Sequence, residues 1–225
     1  MLTLRHVPAR ALRTAILCGV VLLAYSAGTA RADIIPQLEL LGVVADTSNP
    51  GEYTWTYRVD LTNNEFLNGG NTAGKYTKNT DWVTLYDFVG YDSAVGINFS
   101  DTSAYDTAVG TTSVSDWYNT VQNKGVTPTL VVPSDNAAIP NLTFEYIGAG
   151  TGAGPQTLGY FTIDSNVSVV DENGNFTSSA HNTGGGMDQN VGPLDVPAPE
   201  PPALAMLAGT GVLGWSWRRR RAKLV

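Results

Sequence analysis

Residues 53–61 read Tyr-Thr-Trp-Thr-Tyr-Arg-Val-Asp-Leu. Tyr53, Trp55, Tyr57, Val59 and Leu61 alternate with Thr54, Thr56, Arg58 and Asp60. A strand sends successive side chains to opposite faces, so this period of two predicts a half-buried β-strand with an aromatic face. Gln37–Val44 is an earlier apolar run and 82–91 a later one. Runs at 130–132, 142–148, 157–165, 167–170 and 175–180 follow. Asn173-Gly174 favours positive φ at both positions and predicts a tight hairpin between the last two runs. The stretches between are rich in Gly, Asn, Ser, Thr and Asp, the composition of loops. Between the two chain ends no segment keeps a helical period. Many short strands punctuated by turns predict an all-β fold, an antiparallel β-sandwich, whose strand order is not readable.

The ends differ from this middle. In residues 1–32, Arg5, Arg10 and Arg13 precede an apolar core from Ala15 to Tyr25, and Ala30-Arg31-Ala32 closes the segment. A basic start, a short apolar core and a small-x-small ending predict a secretory signal peptide cut after Ala32, with Ala30 and Ala32 read by signal peptidase. The uninterrupted apolar core argues against a mitochondrial transit peptide. Cys18, the one cysteine, lies inside this core, so the mature chain from Asp33 can form no internal disulfide.

Residues 33–198 carry four Lys or Arg (Arg58, Lys75, Lys78, Lys124) against nineteen Asp or Glu, fifteen net negative charges. Such a surface repels phosphate backbones, which excludes nucleic acid as a partner. Residues 33–182 are long enough for one domain with its own core. Residues 183–198, Gly- and Pro-rich without periodicity, are expected to be a flexible linker.

The last 27 residues have three parts. Pro199-Glu200-Pro201 is stiff, because proline fixes φ and removes a donor. Residues 203–217 carry no charge and are rich in Ala, Leu and Gly. Arg218, Arg219, Arg220 and Arg221 follow directly. An apolar run closed by arginines inserts with the arginines on the cytoplasmic side. Fifteen helical residues reach roughly 22 Å against about 30 Å of hydrocarbon, so spanning also needs Trp215, Trp217 and snorkelling arginines at the ends.

Taken together and at this position, Pro199-Glu200-Pro201, the 203–217 run and the Arg218–Arg221 cluster resemble the PEP-CTERM sorting signal of exported proteins from Gram-negative bacteria that make extracellular polysaccharide. The resemblance implies processing near the Pro-Glu-Pro motif by exosortase, a membrane cysteine protease. It also implies transient anchoring in the inner membrane and a final place at the cell surface or outside it, in a role linked to extracellular polysaccharide.

The middle offers little chemistry. His181 is its single histidine, no Gly-x-Ser-x-Gly elbow accompanies a serine, and zinc would need several His or Cys ligands. His181 reads as a strand-end residue. Nineteen acids always contain some pair, so a two-carboxylate hydrolase is open but unsupported. Asp171 to Asn175 places oxygens at alternate positions, yet Phe176 stands where a calcium loop needs Gly, and the hairpin reading is preferred. Asp101, Asp106 and Asp116 read as a solvated loop. Tyr53, Trp55, Tyr57, Trp82, Tyr86 and Trp117 are expected in the core; exposed in a row, they would instead make a sugar-stacking face. The expectation is a non-enzymatic exported protein without a cofactor. The alternatives are a secreted carbohydrate-binding module or a carboxylate hydrolase.

Overall fold

The computed structural model describes residues 33–198 except 77–78, 94–96 and 129–131. Ten strands run through the described residues: β1 (Ile34–Ala45), β2 (Tyr53–Leu61), β3 (Glu65–Phe66), β4 (Trp82–Leu85), β5 (Ile97–Ser100), β6 (Trp117–Gln122), β7 (Asn141–Tyr146), β8 (Gln156–Ser165), β9 (Val170–Asn182) and β10 (Met187–Pro197). The fold is all-β, and every strand pairing is antiparallel.

The strands form two sheets. One has the order β1-β2-β8-β5; the other runs β10-β9-β4-β7-β6, with β3 pairing the end of β9 beside β4. The alternating stretch is β2, at the centre of the first sheet, between β1 and β8. Trp55, Tyr57, Val59 and Leu61 are buried on one face as the period of two requires, while Arg58 and Asp60 are half-buried on the other. From the second sheet Val83, Leu85, Leu142 and Phe144 join the same core cluster. Polar ends of core aromatics are satisfied across it: Trp55 Nε1 donates to the Val167 carbonyl and Tyr57 Oη to the Asp195 carbonyl, each at 2.9 Å. Those bonds matter because an unpaired buried donor costs about 1–3 kcal/mol.

Several elements depart from expectation. Residues 183–198, expected as a linker, are mostly β10, paired with β9 from Met187↔His181 to Pro197↔Val170. Leu194 and Val196 enter the core, and Gly192 lets the backbone pass close to the Phe176 ring. Pro193 and Pro197 are tolerated because β10 is an outer strand, where a missing donor breaks no second ladder. Only residues 183–186 stay irregular, a tight turn in which Asn182 Oδ1 accepts from the Gly184 and Gly186 amides at 3.0 Å. Asn173-Gly174, expected as a hairpin turn, lies inside the single long strand β9.

The 82–91 run shortens to β4, and β5 and β6 arise where loops were expected. Val132 is irregular, while Leu130 and Val131 lie outside the described residues. Before β6, Ser113 and Asp116 form a capping box around a single 3-10 turn, Val114–Asp116.

Candidate functional site

The C-terminal junction is built by β10. Its last residue, Pro197, pairs with Val170, and the Ala198 amide donates to the Val169 carbonyl at 2.7 Å. Ala198 is therefore still tied to the sheet, and Pro199 is the next residue along the chain. Pro199, Glu200 and Pro201, the 203–217 run and Arg218–Arg221 lie outside the described residues, as do the signal segment 1–32 and its Ala30 and Ala32. Among the described residues no helix is long and apolar enough to cross a membrane.

His181 meets a carboxylate one hundred residues away. Its Nδ1 lies 2.7 Å from Asp81 Oδ1, and its own amide donates to the same oxygen at 3.0 Å. Asp81 Oδ2 accepts from the Asn68 amide at 2.5 Å. Burial raises the Asp81 carboxyl, while the bonds from His181 and Asn68 pull it back. On its other side His181 Nε2 faces the Asn68 side-chain nitrogen Nδ2 at 3.4 Å, and Phe66 packs against the ring. In a Ser-type triad an Asp–His pair orients a base whose free nitrogen reaches a hydroxyl. Here that nitrogen faces an amide, so the pair ties β9 to the loop before β4.

A second carboxylate group lies where β1, β3, β9 and β10 meet. Asp33 is fully buried and Glu65 is 1% exposed. Asp33 Oδ1 accepts from the Ile34 amide at 2.8 Å, whereas no well-formed hydrogen bond reaches Asp33 Oδ2 or either Glu65 carboxylate oxygen, with Ser178 standing beside Asp33 and Asp188 beside Glu65. Asp188 stands close enough for its charge to act on both acids. Burial, then the neighbouring Asp188 and Asp81 carboxylates, pushes Glu65 up to about 8. Asp33 is raised well above the ordinary carboxyl range, chiefly by burial and further by Glu65. A hydrolase needs two acids facing a cleft that admits substrate. Asp33 and Glu65 are enclosed within the fold. Nothing in the sequence brings Asp33, Glu65 and Asp188 together, since pairing of strands distant in the chain does so.

The remaining charged network lies on the outer face of the first sheet. Arg58 reaches Asp60 at 3.0 Å, Asp106 at 3.1 Å and Thr157 Oγ1 at 3.0 Å, and Tyr160 Oη donates to Asp106 at 3.0 Å. Burial and Asp106 together push the Tyr160 hydroxyl up to about 12. Asp106 thus anchors its loop to the sheet, in contrast to the solvated acid expected there. Beside Arg58 runs an open groove of 540 Å³ lined by Ile35, Gln37, Asp60, Pro155 and Gln156 among others. Of the six aromatics weighed for sugar stacking, Trp55, Tyr57, Trp82, Tyr86 and Trp117 are buried and Tyr53 is half-buried. Asp171 accepts from Asn173 within β9, and no group of three or more His, Cys, Asp or Glu suited to a metal occurs among the described residues.

No curated protein and no solved structure matches the chain. A protein-family model, the PEP-CTERM protein-sorting motif, matches residues 197–221. That match starts at the residue on which β10 ends. The chain therefore carries the PEP-CTERM protein-sorting motif, the mark of an exported protein targeted to exosortase, directly behind an antiparallel β domain.

Proposed function

We propose that this is a non-enzymatic β-sandwich protein displayed at the cell surface or in the extracellular matrix, with a structural or interaction role linked to exopolysaccharide. Signal peptidase removes residues 1–32, the 203–217 helix with Arg218–Arg221 holds the chain transiently in the inner membrane, and exosortase acts near Pro199-Glu200-Pro201. The observation that carries this reading is the sorting-motif match over 197–221. The acidic, cysteine-free middle suits an exposed extracellular life. Burial of the large aromatics favours a display domain over a sugar-stacking module, and enclosure of the carboxylates favours it over a hydrolase.

The test is the intact mass of the protein from cells and from medium of the native culture. A start at Asp33 with loss of everything beyond the Pro199 region supports two-ended processing. A mass that retains Arg218–Val225 in both fractions refutes exosortase release and leaves a plain membrane anchor.

A further inference from the structure

We infer that the α-ammonium group of Asp33, freed when the signal segment is cut after Ala32, is the missing counter-ion of the buried Asp33, Glu65 and Asp188 carboxylates. This rests on the processing reading above and goes beyond it, because it makes the cut a step in completing the fold.

The chemistry of the enclosure points to one kind of occupant. Three carboxylates lie near enough for their charges to act on one another, two of them on residues almost wholly enclosed, and among the described residues no Lys or Arg pairs with them. Among the described residues Asp33, Glu65 and Asp188 make no ion pair with Lys or Arg; Arg58 pairs with Asp60 and Asp106, and His181 with Asp81. A buried carboxylate without a partner is among the costliest arrangements a core can hold.

The backbone nitrogen of Asp33 is already in place. It donates to Thr62 Oγ1 at 2.5 Å, while the Thr62 amide donates back to the Asp33 carbonyl at 3.1 Å, so the main chain of Asp33 is fixed to the end of β2. As an amide this nitrogen has a single hydrogen, and Thr62 takes it. As an ammonium it has three and a full charge. The hydrogen bond to Thr62 can persist while two further hydrogens serve Asp33 Oδ2 and a Glu65 oxygen, the buried acceptors that no well-formed hydrogen bond reaches. The Glu65 amide in turn bonds the Thr62 carbonyl at 3.4 Å, which holds Glu65 beside the same turn.

The test compares chain 33–225, beginning with a free amine at Asp33, with chain 31–225 in the same detergent, each with and without Glu65→Gln. Denaturant unfolding gives the folding constant of each. The two added residues should lower it at least tenfold when Glu65 is present and less than twofold in the Gln variant. If 31–225 fails to fold, recovery on Glu65→Gln supports the ion pair equally. An equal effect of the extension in both backgrounds, or none in either, overturns the inference. The N-terminus of the native protein separates the two readings. A start other than Asp33 overturns the processing reading and the inference with it. A native start at Asp33 without loss of stability on extension overturns the inference alone.

Discussion

The Phe161 ring of β8 lies flat on the Phe144 ring of β7, with centroids 3.6 Å apart and planes 11° from parallel. One residue belongs to each sheet, so this stack joins the two sheets across their shared core. Phe99 and Trp117 meet the edge of the same Phe161 ring at 5.8 and 5.3 Å. Phe161→Ala should destabilise the domain by about 3–5 kcal/mol, the range for emptying a buried aromatic site. Urea unfolding followed by tryptophan fluorescence measures it, and a loss under 1 kcal/mol would mean the stack contributes little.

Gly159 interrupts the β2–β8 ladder at a register shift, with φ +152. A Cβ there would come within 2.2 Å of the Phe99 ring and 2.7 Å of the Ser100 carbonyl. Gly159→Ala should therefore cost about 1–3 kcal/mol through overpacking and strain. Gly152→Ala, which meets nothing within 4 Å, should stay within about 0.5 kcal/mol. Thermal unfolding of the two variants side by side makes the comparison; equal shifts would contradict it.

In the unprocessed chain Glu65 keeps its proton up to about pH 8, whereas in the unfolded chain it ionises near its ordinary value of 4.5. Between these values the folded state binds more protons, so stability is full below about 4.5 and falls as pH rises towards 8. Glu65→Gln should flatten that fall. Asp33, Asp81 and Glu145, raised in the same direction by burial, keep a residual slope of the same sign. Unfolding midpoints at pH 5 and 7.5 for both proteins give the answer, and an identical slope in the Gln variant would contradict it.

Ala198 is hydrogen-bonded to Val169, leaving no slack before Pro199. A protease takes its substrate as extended chain free of the sheet. Inserting six Gly/Ser residues between Ala198 and Pro199 should speed processing severalfold while changing stability by no more than about 0.5 kcal/mol. The ratio of processed to unprocessed mass over time reads this, and slower processing would show that the sheet end helps present the motif.

Legibility in the sequence followed the strength of side-chain pattern. Residues 53–61 were readable because each face of β2 meets one environment, apolar within and polar without. β10 was not, because only Leu194, Val196 and Pro197 are fully buried, and the strand is held by main-chain pairing with β9. Asn173-Gly174 misleads for a related reason. Val196 approaches within 2.4 Å of where a Gly174 Cβ would stand, so the glycine there makes room for a bulge in the neighbouring strand. β6 buries only Trp117 and leaves Tyr118 and Val121 exposed among polar residues, so no apolar face of period two announces it. The Asp81–His181 pair spans one hundred residues and the Asp33–Glu65 pair thirty-two, distances over which spacing says nothing. The sorting signal, by contrast, is a contiguous string of composition, and was readable in full.

The outer strands bear on how many copies can share a surface. β10 edges one sheet with Pro193 and Pro197 in its line and a register break between Leu194 and Val196. β1 edges the other, with Pro36 near its start and a break between Leu38 and Val43. Missing donors and interrupted registers deny a second chain the unbroken ladder it needs to add a strand. Along these two edges, molecules crowded side by side are thus kept from pairing strand to strand.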